Sequence, residues 1–485
     1  MVRFLPIALV ALATTLTGCQ SPQPTPPVQP PNLPSGYPSL AQVKSGDLLN
    51  MQNLDEQSLA KALGNWWRVF NDPILNKLTT QAITANWNLL AAVQNLEAAK
   101  ANIDLVNSYR LPSVSVAAVG GRQQSGTTNA LAVGLYDTFG IATVVAWEPD
   151  VFGRVAAQVS AAEADKNRVE ADRRAVMVSV TAQLAATYAQ LRARQQALML
   201  TKQYVSQIGA KLALTQQLLK VGIVPITELA QMKRLYLQAQ SSIPTLESQI
   251  KVLMTTCAIL TGGYANDLDT LLNQPGPLLV SQTLLPSTLP SQLLRQRPDI
   301  VAQEQRILAS VSDVQAAEAN FMPQFNIPLG IGYNAGPFSL LLNPASFIWN
   351  LTVNAMAPLY TGDQLQAQLK IAQAVSRKDQ LLYENIIRQA LKEVENAVVS
   401  YQGASESLLL LDQVKQQQSV VVAQEQILLN TGVQSEFQLL TSKMTLTQVD
   451  EGIVNAKFEQ TTNLISLYKA LGSGWSEIQL SEAKQ

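Results

Sequence analysis

The stretch FGRVAAQVSAAEADKNRVEADRRAVMVSVTAQLAATYAQLRARQQALMLTKQYVSQIGAKLALTQQLLK, residues 152–220, decides the fold class. No proline occurs between Pro149 and Pro225, and the stretch is rich in Ala, Leu, Gln, Glu, Lys and Arg, the residues that lose least on entering a helix. An unbroken helix of this length runs about 100 Å, since each residue rises about 1.5 Å, and globular domains rarely contain one. Val155, Val159, Ala162, Val169, Val176, Val180, Leu184, Leu191, Leu198, Val205, Ile208, Leu212 and Leu219 recur mostly at helical steps, which makes a seam for partner helices. Ala156, Ala157, Ala161, Ala162 and Ala164 let helix backbones approach closely. Periodicity alone fits a coiled-coil rod equally well.

A second proline-free run begins after Pro358. The two halves of the chain match at a spacing of about 210 residues, an internal repeat. Leu218-Leu219-Lys220-Val221-Gly222 aligns with Leu428-Leu429-Asn430-Thr431-Gly432, Leu229 with Leu439, and Gly262 with Gly472. Pro149 and Gly153 align with Pro358 and Gly362. Gly222 and Gly432 each follow a long helix and precede another, where glycine suits a left-handed cap, and Pro225 stands near the first turn of the next helix. The expected long helices are 152–220 and 226–261 in the first repeat, and 362–430 and 435–471 in the second, arranged as antiparallel pairs.

Four segments break the helical pattern: LPSVSVAAVGG at 111–121, FGIATVVAWE at 139–148, FNIPLGIGY at 325–333 and FIWNLTVNAM at 347–356. The loop from Arg122 to Asn129 joins the first two, and one holding Asn334, Gly336, Pro337, Asn343 and Pro344 joins the others. A tilted strand needs about 10 residues to cross a bilayer. Four strands cannot close a barrel, and lipid does not tolerate open edges, so three copies would be needed to supply twelve strands. The alternative is a soluble β-structure capping a helical rod. Tyr136, Phe139, Trp147, Phe338, Phe347 and Trp349 are candidates for interfacial girdles or for ordinary packing.

The chain opens Met1-Val2-Arg3 and runs apolar from Phe4 to Leu16, the pattern of a secretory signal and too short for a membrane-spanning helix. Leu16-Thr17-Gly18-Cys19 resembles the bacterial lipobox, in which the cysteine receives lipid. Gln20 follows where an aspartate would favour inner-membrane retention. Prolines then crowd Pro22 to Pro38, an extended spacer. The expected organisation is a signal peptide over 1–18, a lipidated Cys19 and linker over 19–40, a first repeat over 41–262, an equatorial segment over 263–290, a second repeat over 291–473 and a tail over 474–485.

Composition narrows the function. The 485 residues include 34 basic and 35 acidic side chains, a net charge of -1, which gives no reason to expect nucleic acid. Histidine is absent, removing Ser-His-Asp catalysis and histidine metal sites together. The two cysteines, Cys19 and Cys257, are too few for a zinc knuckle. Cys257 lies in an apolar helix and reads as a core residue. These features argue against an enzyme and imply no cofactor beyond a covalent lipid on Cys19.

Further motifs point to a family. Trp66-Trp67-Arg68-Val69-Phe70-Asn71-Asp72-Pro73-Ile74-Leu75 matches a WWxxFxDPxL signature, and Trp147-Glu148-Pro149-Asp150-Val151-Phe152-Gly153 matches WExDxFG. Leu294-Arg295-Gln296-Arg297-Pro298-Asp299-Ile300 matches LLxxRPDI, and Ala357-Pro358-Leu359-Tyr360-Thr361-Gly362 matches the second strand-to-helix junction. Over nearly the whole mature chain the sequence resembles the TolC-like outer-membrane factors, in their OprM and NodT-type lipoprotein branch. The resemblance implies a mainly α protein with membrane β: a homotrimer whose twelve-stranded barrel, four strands per protomer, continues into a periplasmic α-barrel with an equatorial belt. It also implies a periplasmic adaptor and an RND-type inner-membrane pump as partners. Val221, Gly222, Ile223, Val224 and Pro225 would form one periplasmic tip, and Thr431, Gly432, Val433, Gln434 and Ser435 the other. Glu228 would be a pore-gate residue, with Gln438 and Thr441 at comparable positions of the second repeat, where some relatives carry acids. Small-molecule efflux is the implied role, with type I protein secretion or a lipid-anchored coiled-coil scaffold as alternatives.

Overall fold

The computed structural model describes residues 63–124, 134–280 and 297–475, with a parallel pairing of Leu48–Leu49 against Leu285–Pro286. Cys19, the signal segment and the linker lie outside the described residues, as does the tail beyond Trp475. The chain divides into two compact units.

The helices reproduce the internal repeat. α1 (Pro73–Ala85) and α2 (Trp87–Ser108) lead into the first strands; α3 (Arg154–Lys220) and α4 (Ile226–Leu260) follow them. In the second half, α5 (Pro298–Ala319) precedes the strands, and α6 (Gln364–Asn430) and α7 (Glu436–Ala470) follow. α3 and α6 have 67 residues each, and α4 and α7 have 35 each. Equal lengths in both halves mean that the repeat extends from sequence to backbone.

The unit containing residues 95–170 and 302–383 carries the sheet. β1 (Ser113–Gln124) pairs antiparallel with β2 (Leu135–Trp147), and β2 with β3 (Gln324–Ala335). β3 then pairs with β4 (Phe347–Leu351) and β5 (Asn354–Met356). The expected single strand at 347–356 is therefore two pieces. Pro328 explains the break: its carbonyl accepts from Thr352 N at 3.1 Å, but proline has no N–H to return the bond. β2 begins at Leu135 rather than 139, and β1 reaches Gln124 rather than stopping at 121.

The other unit, including residues 63–94, 171–280 and 384–475, holds most of the buried core. The WWxxFxDP segment is built into it. Trp66 is fully buried and stacks on Tyr468 at 5.2 Å between ring centroids. Asp72 caps α1, accepting from Ile74 N at 2.8 Å and Leu75 N at 2.9 Å, with Pro73 at a position where no N–H is needed. The other Asp72 oxygen accepts from Tyr188 Oη at 3.0 Å, and Tyr188 Oη accepts from Arg192 Nε at 3.0 Å. Arg192 is 1% exposed and also donates to Gln195 Oε1 at 2.8 Å and to the Gln274 carbonyl at 2.7 Å. Burial raises the Tyr188 pKa, partly opposed by Arg192.

The repeat is visible at atomic scale where the shorter helices end. Asn86 Nδ2 donates to the Leu260 carbonyl at 2.8 Å, and Arg297 Nη1 donates to the Ala470 carbonyl at 2.6 Å. Different side chains thus close equivalent helix ends. Arg297 also pairs with Asp299 at 2.8 Å and Glu393 at 2.9 Å, so it anchors the start of α5, as its place before Pro298 suggests. Asp165 binds Arg168, Asp269 binds Lys251, and Asp267 accepts from Tyr264 N. Cys257 is fully buried.

Candidate functional site

The two long-helix turns share one geometry. Gly222 and Gly432 have φ of 75° and 74°. Ile223 N donates to the Leu218 carbonyl at 2.9 Å and Gly222 N to Leu219 at 3.0 Å; Val433 N donates to Leu428 at 2.9 Å and Gly432 N to Leu429 at 3.0 Å. These paired bonds are the Schellman pattern, which satisfies carbonyls that a helix end leaves open. The next helices start differently. Pro225 precedes α4 without a side-chain cap, whereas Ser435 Oγ accepts from Gln438 N at 3.4 Å.

The turns expose apolar side chains. Val221, Ile223 and Ile226 are 69%, 68% and 71% exposed at the first turn, and Val433 is 73% exposed at the second. Val224 and Gln434 are half-buried, and Thr431 is exposed with its hydroxyl bonded back to Ile427 and Leu428 carbonyls. Apolar groups held in water by rigidly capped turns are suited to contact with another protein.

The gate candidates are dispersed in role. Glu228 is half-buried and its N–H bonds the Pro225 carbonyl at 3.1 Å. Gln438 is exposed, near the cap of α7. Thr441 accepts from Lys211 Nζ at 2.9 Å. Lys211, which sequence reasoning missed, is buried. Burial lowers its pKa and the charge of Glu228 opposes the shift, so Lys211 connects two of the three candidates electrostatically. Its sequence signal was slight, a lone cation between Ala210 and Leu212 whose neighbours on the helix face, Gln207, Ile208, Leu214 and Thr215, are of mixed polarity.

The strands form a second functional surface. β1, β2 and β3 have 12, 13 and 12 residues, enough to cross a bilayer when tilted. Val114, Val116 and Val119 on β1 are exposed, as are Phe347, Ile348, Trp349 and Leu351 on β4. Among the described residues, β1 and β4 each leave one edge unpaired. In water such apolar edge strands invite aggregation; in lipid they require closure. Trp147 Nε1 donates to the Arg110 carbonyl at 3.0 Å while the side chain stays partly exposed. Phe139 packs edge-on against Phe338, and Tyr333 against Phe347, so those aromatics pack together. No described helix is long and apolar enough to cross a membrane.

The strand-to-helix junction explains the WExDxFG motif. Asp150 accepts from Val155 N at 3.1 Å and Ala156 N at 2.7 Å, capping α3. Glu148 pairs with Arg154 at 2.7 Å, and Gly153 takes φ of 76°. Gly362 has φ of 61° at the second junction.

A meander with three strands of bilayer length and a fourth in two pieces, each half leading into a long helix and a capped turn, defines a TolC-like outer-membrane channel protomer. The chain belongs to the outer membrane efflux protein family, whose model matches residues 78–262 and 289–473. It is 24% identical over 480 residues to the cation efflux system protein CusC of Escherichia coli O6:H1, covering 96% of this chain and 98% of that protein. It is 26% identical over 448 residues to the solvent efflux pump outer membrane protein SrpC of Pseudomonas putida, covering 91% and 94%. The solved outer-membrane channel OprN superposes with a TM-score of 0.81 at 25% identity, covering 94% of this chain and 99% of that one. The Campylobacter jejuni outer membrane channel CmeC superposes with a TM-score of 0.84 at 20% identity, covering 96% and 97%. The protein is an outer-membrane efflux component of the Gram-negative envelope, with its long helices extending into the periplasm.

Proposed function

We propose that three copies of this chain form a tunnel that carries small toxic molecules out of the cell, receiving them from an inner-membrane pump through a periplasmic adaptor. The observation that carries the reading is the sheet with unpaired β1 and β4 edges and apolar residues exposed on both. Joining β1 of one copy to the β4 and β5 pieces of the next satisfies every edge, and with those two pieces counted as one broken strand, threefold repetition gives twelve strands. Val399, Leu410 and Val420 of α6, exposed at 56%, 55% and 64%, then gain cover from neighbouring helices. The turns at Val221–Pro225 and Thr431–Ser435 are the adaptor contacts in this reading, and Cys19 carries the lipid anchor. Relatives are named for cations, solvents and pyoverdine, which fits a passage whose selectivity is set by other components of the pump.

Electron microscopy of detergent-extracted full-length protein tests the assembly: a threefold tube is expected, and monomers or thin rods would overturn the reading. Cys19→Ala should abolish incorporation of radiolabelled palmitate in growing cells. Persistent labelling at the wild-type level would remove the anchor assignment.

A further inference from the structure

The sheet has two chemically different faces, and the loop between β3 and β4 belongs to the apolar one. Pairing puts Thr143, Ile331 and Trp349 in one row. Strand alternation then places Phe139, Ile141, Val145 and Trp147 of β2, with Phe347 of β4, on that same face. The opposite face carries Ser115, Asn326, Asn334 and Asn350. In a membrane barrel the apolar face meets lipid and the polar face lines the lumen. β2 runs into α3 after Trp147, so Phe139 and its partner Ala335 mark the outer end. The apolar run from Trp147 to Phe139 spans about 27 Å along the strand. At a tilt of about 40° it covers about 21 Å of membrane, against an apolar band of about 25 Å. The next residue on this face is Asp137, ion-paired with Arg122 at 2.9 Å. The strands therefore end their apolar cover early.

We propose that the loop over residues 336–346 is a lipid-contact element. It places Phe338, Leu340 and Leu342 among the acyl chains of the outer leaflet and supplies the cover that the strands lack. The proposal rests on the tunnel reading above. Phe338 packs edge-on against Phe139 at 5.4 Å between ring centroids, which puts the loop on the lipid-facing side, away from Ser115 and Asn334. A Cβ at Gly336 would stand 3.5 Å from the Asp137 carbonyl oxygen, so the loop starts at the level of the ion pair. Phe338, Leu340 and Leu342 are 69%, 47% and 74% exposed, and no acid or base occurs from Gly336 to Ser346. Two short 3-10 turns, Phe338–Leu340 and Pro344–Ser346, shape the loop. Asn343 Oδ1 accepts from Ala345 N at 2.9 Å, and Ser346 Oγ donates to the Leu340 carbonyl at 2.8 Å. Backbone and side-chain polar groups bonded within the loop can approach hydrocarbon at lower cost than free ones. The apolar side chains are held out by turns that are already ordered, so little freedom is lost when they enter lipid. The apolar surface is continuous with the lipid-facing side of β2, which makes acyl chains the fitting occupant.

Fluorescence quenching in vesicles tests this. Full-length Leu342→Cys is labelled with nitrobenzoxadiazole and reconstituted into phosphatidylcholine that carries a nitroxide near the head of one acyl chain. Cys257 is fully buried, so the introduced cysteine takes the label. Val116→Cys, on the lipid-facing side of β1, and Ser115→Cys, on the lumen side, are the references. The nitroxide should quench the label at Leu342 about as strongly as at Val116. Iodide should quench it about fivefold less than at Ser115, because an anion is excluded from the acyl layer. Leu340→Cys should behave as Leu342→Cys does, and it decides the matter if the latter fails to assemble. Strong iodide quenching at Leu342, with Val116 still quenched by nitroxide, overturns the loop proposal and leaves the tunnel standing. Protection from both quenchers also overturns it, since the loop is then covered by a neighbouring copy. Iodide quenching at Val116 without nitroxide quenching overturns the tunnel reading itself.

Discussion

Replacing Arg192 with methionine should loosen the segment Leu272–Gly276 without unfolding the long helices. Arg192 donates to the Tyr188 hydroxyl at 3.0 Å, the Gln195 side chain at 2.8 Å and the Gln274 carbonyl at 2.7 Å, and its guanidinium lies 4.9 Å from the Tyr188 ring centroid. Gln195 in turn donates to the Leu272 carbonyl at 2.7 Å. Each bond to a charged donor is worth about 1.5–3 kcal/mol, and an acceptor left dry and unpaired costs about 1–3 kcal/mol. Relief of the desolvation of a buried cation offsets part of this loss. A net loss of about 3 kcal/mol corresponds to roughly a 150-fold increase in local opening. Hydrogen exchange read by mass spectrometry on a peptide spanning 269–280 should report a rise of about that size, confined to this segment. Gly276 supplies an internal control. A Cβ there would lie 2.9 Å from Arg192 Cζ, so Gly276→Ala should loosen the same peptide in the wild type and add little in the methionine background. Unchanged exchange in Arg192→Met, or additive effects in the pair, would refute the reasoning.

Gly222→Ala and Gly432→Ala should each lower stability by about 1 kcal/mol, the strain of a side chain at positive φ, because nothing lies within 4 Å of either added Cβ. Gly262→Ala should be far worse and prevent assembly, since its Cβ would stand against the Ala85 carbonyl; a chemical-denaturation series compares the three. Burial pushes the Cys257 thiol up from 9.0 to about 12, so the folded protein should resist iodoacetamide at pH 8 and become alkylated once unfolded. Burial likewise raises Tyr468 from 10.0 to about 12, with Tyr401 adding to the shift. Both groups stay protonated longer folded than unfolded, so their stability contribution is intact below the ordinary values and is lost as pH rises through the folded ones. The thermal midpoint should therefore fall between pH 9 and 12, and Cys257→Ala should lessen the fall.

Much of the architecture was legible in local chemistry. Proline-free runs of good helix formers mark α3 and α6, and Gly222 and Gly432 mark their ends, because a left-handed cap needs a residue without a Cβ. The WExDxFG motif marks a strand-to-helix junction, where Asp150 and Gly153 act on backbone atoms only a few residues away. The strand ends were less legible: β2 starts at Leu135, within a region of weak alternation, and the break between β4 and β5 depends on Pro328 in the neighbouring strand.

The candidate site divides along the same line. The sequence by itself determined the turns, the repeat, the strand-bearing segments and the glycine caps, all of which depend on short-range sterics and hydrogen bonding or on hydrophobic period. Tertiary structure alone decided that Lys211 meets Thr441 and Phe437, that Arg192 holds the Gln274 carbonyl, and that Asn86 and Arg297 perform one task in the two halves. These contacts join residues far apart in the chain, and polar side chains in long helices look alike until packing shows which are removed from water. Burial then fixes their partners, because a polar group taken out of solvent must find its hydrogen bonds within the fold.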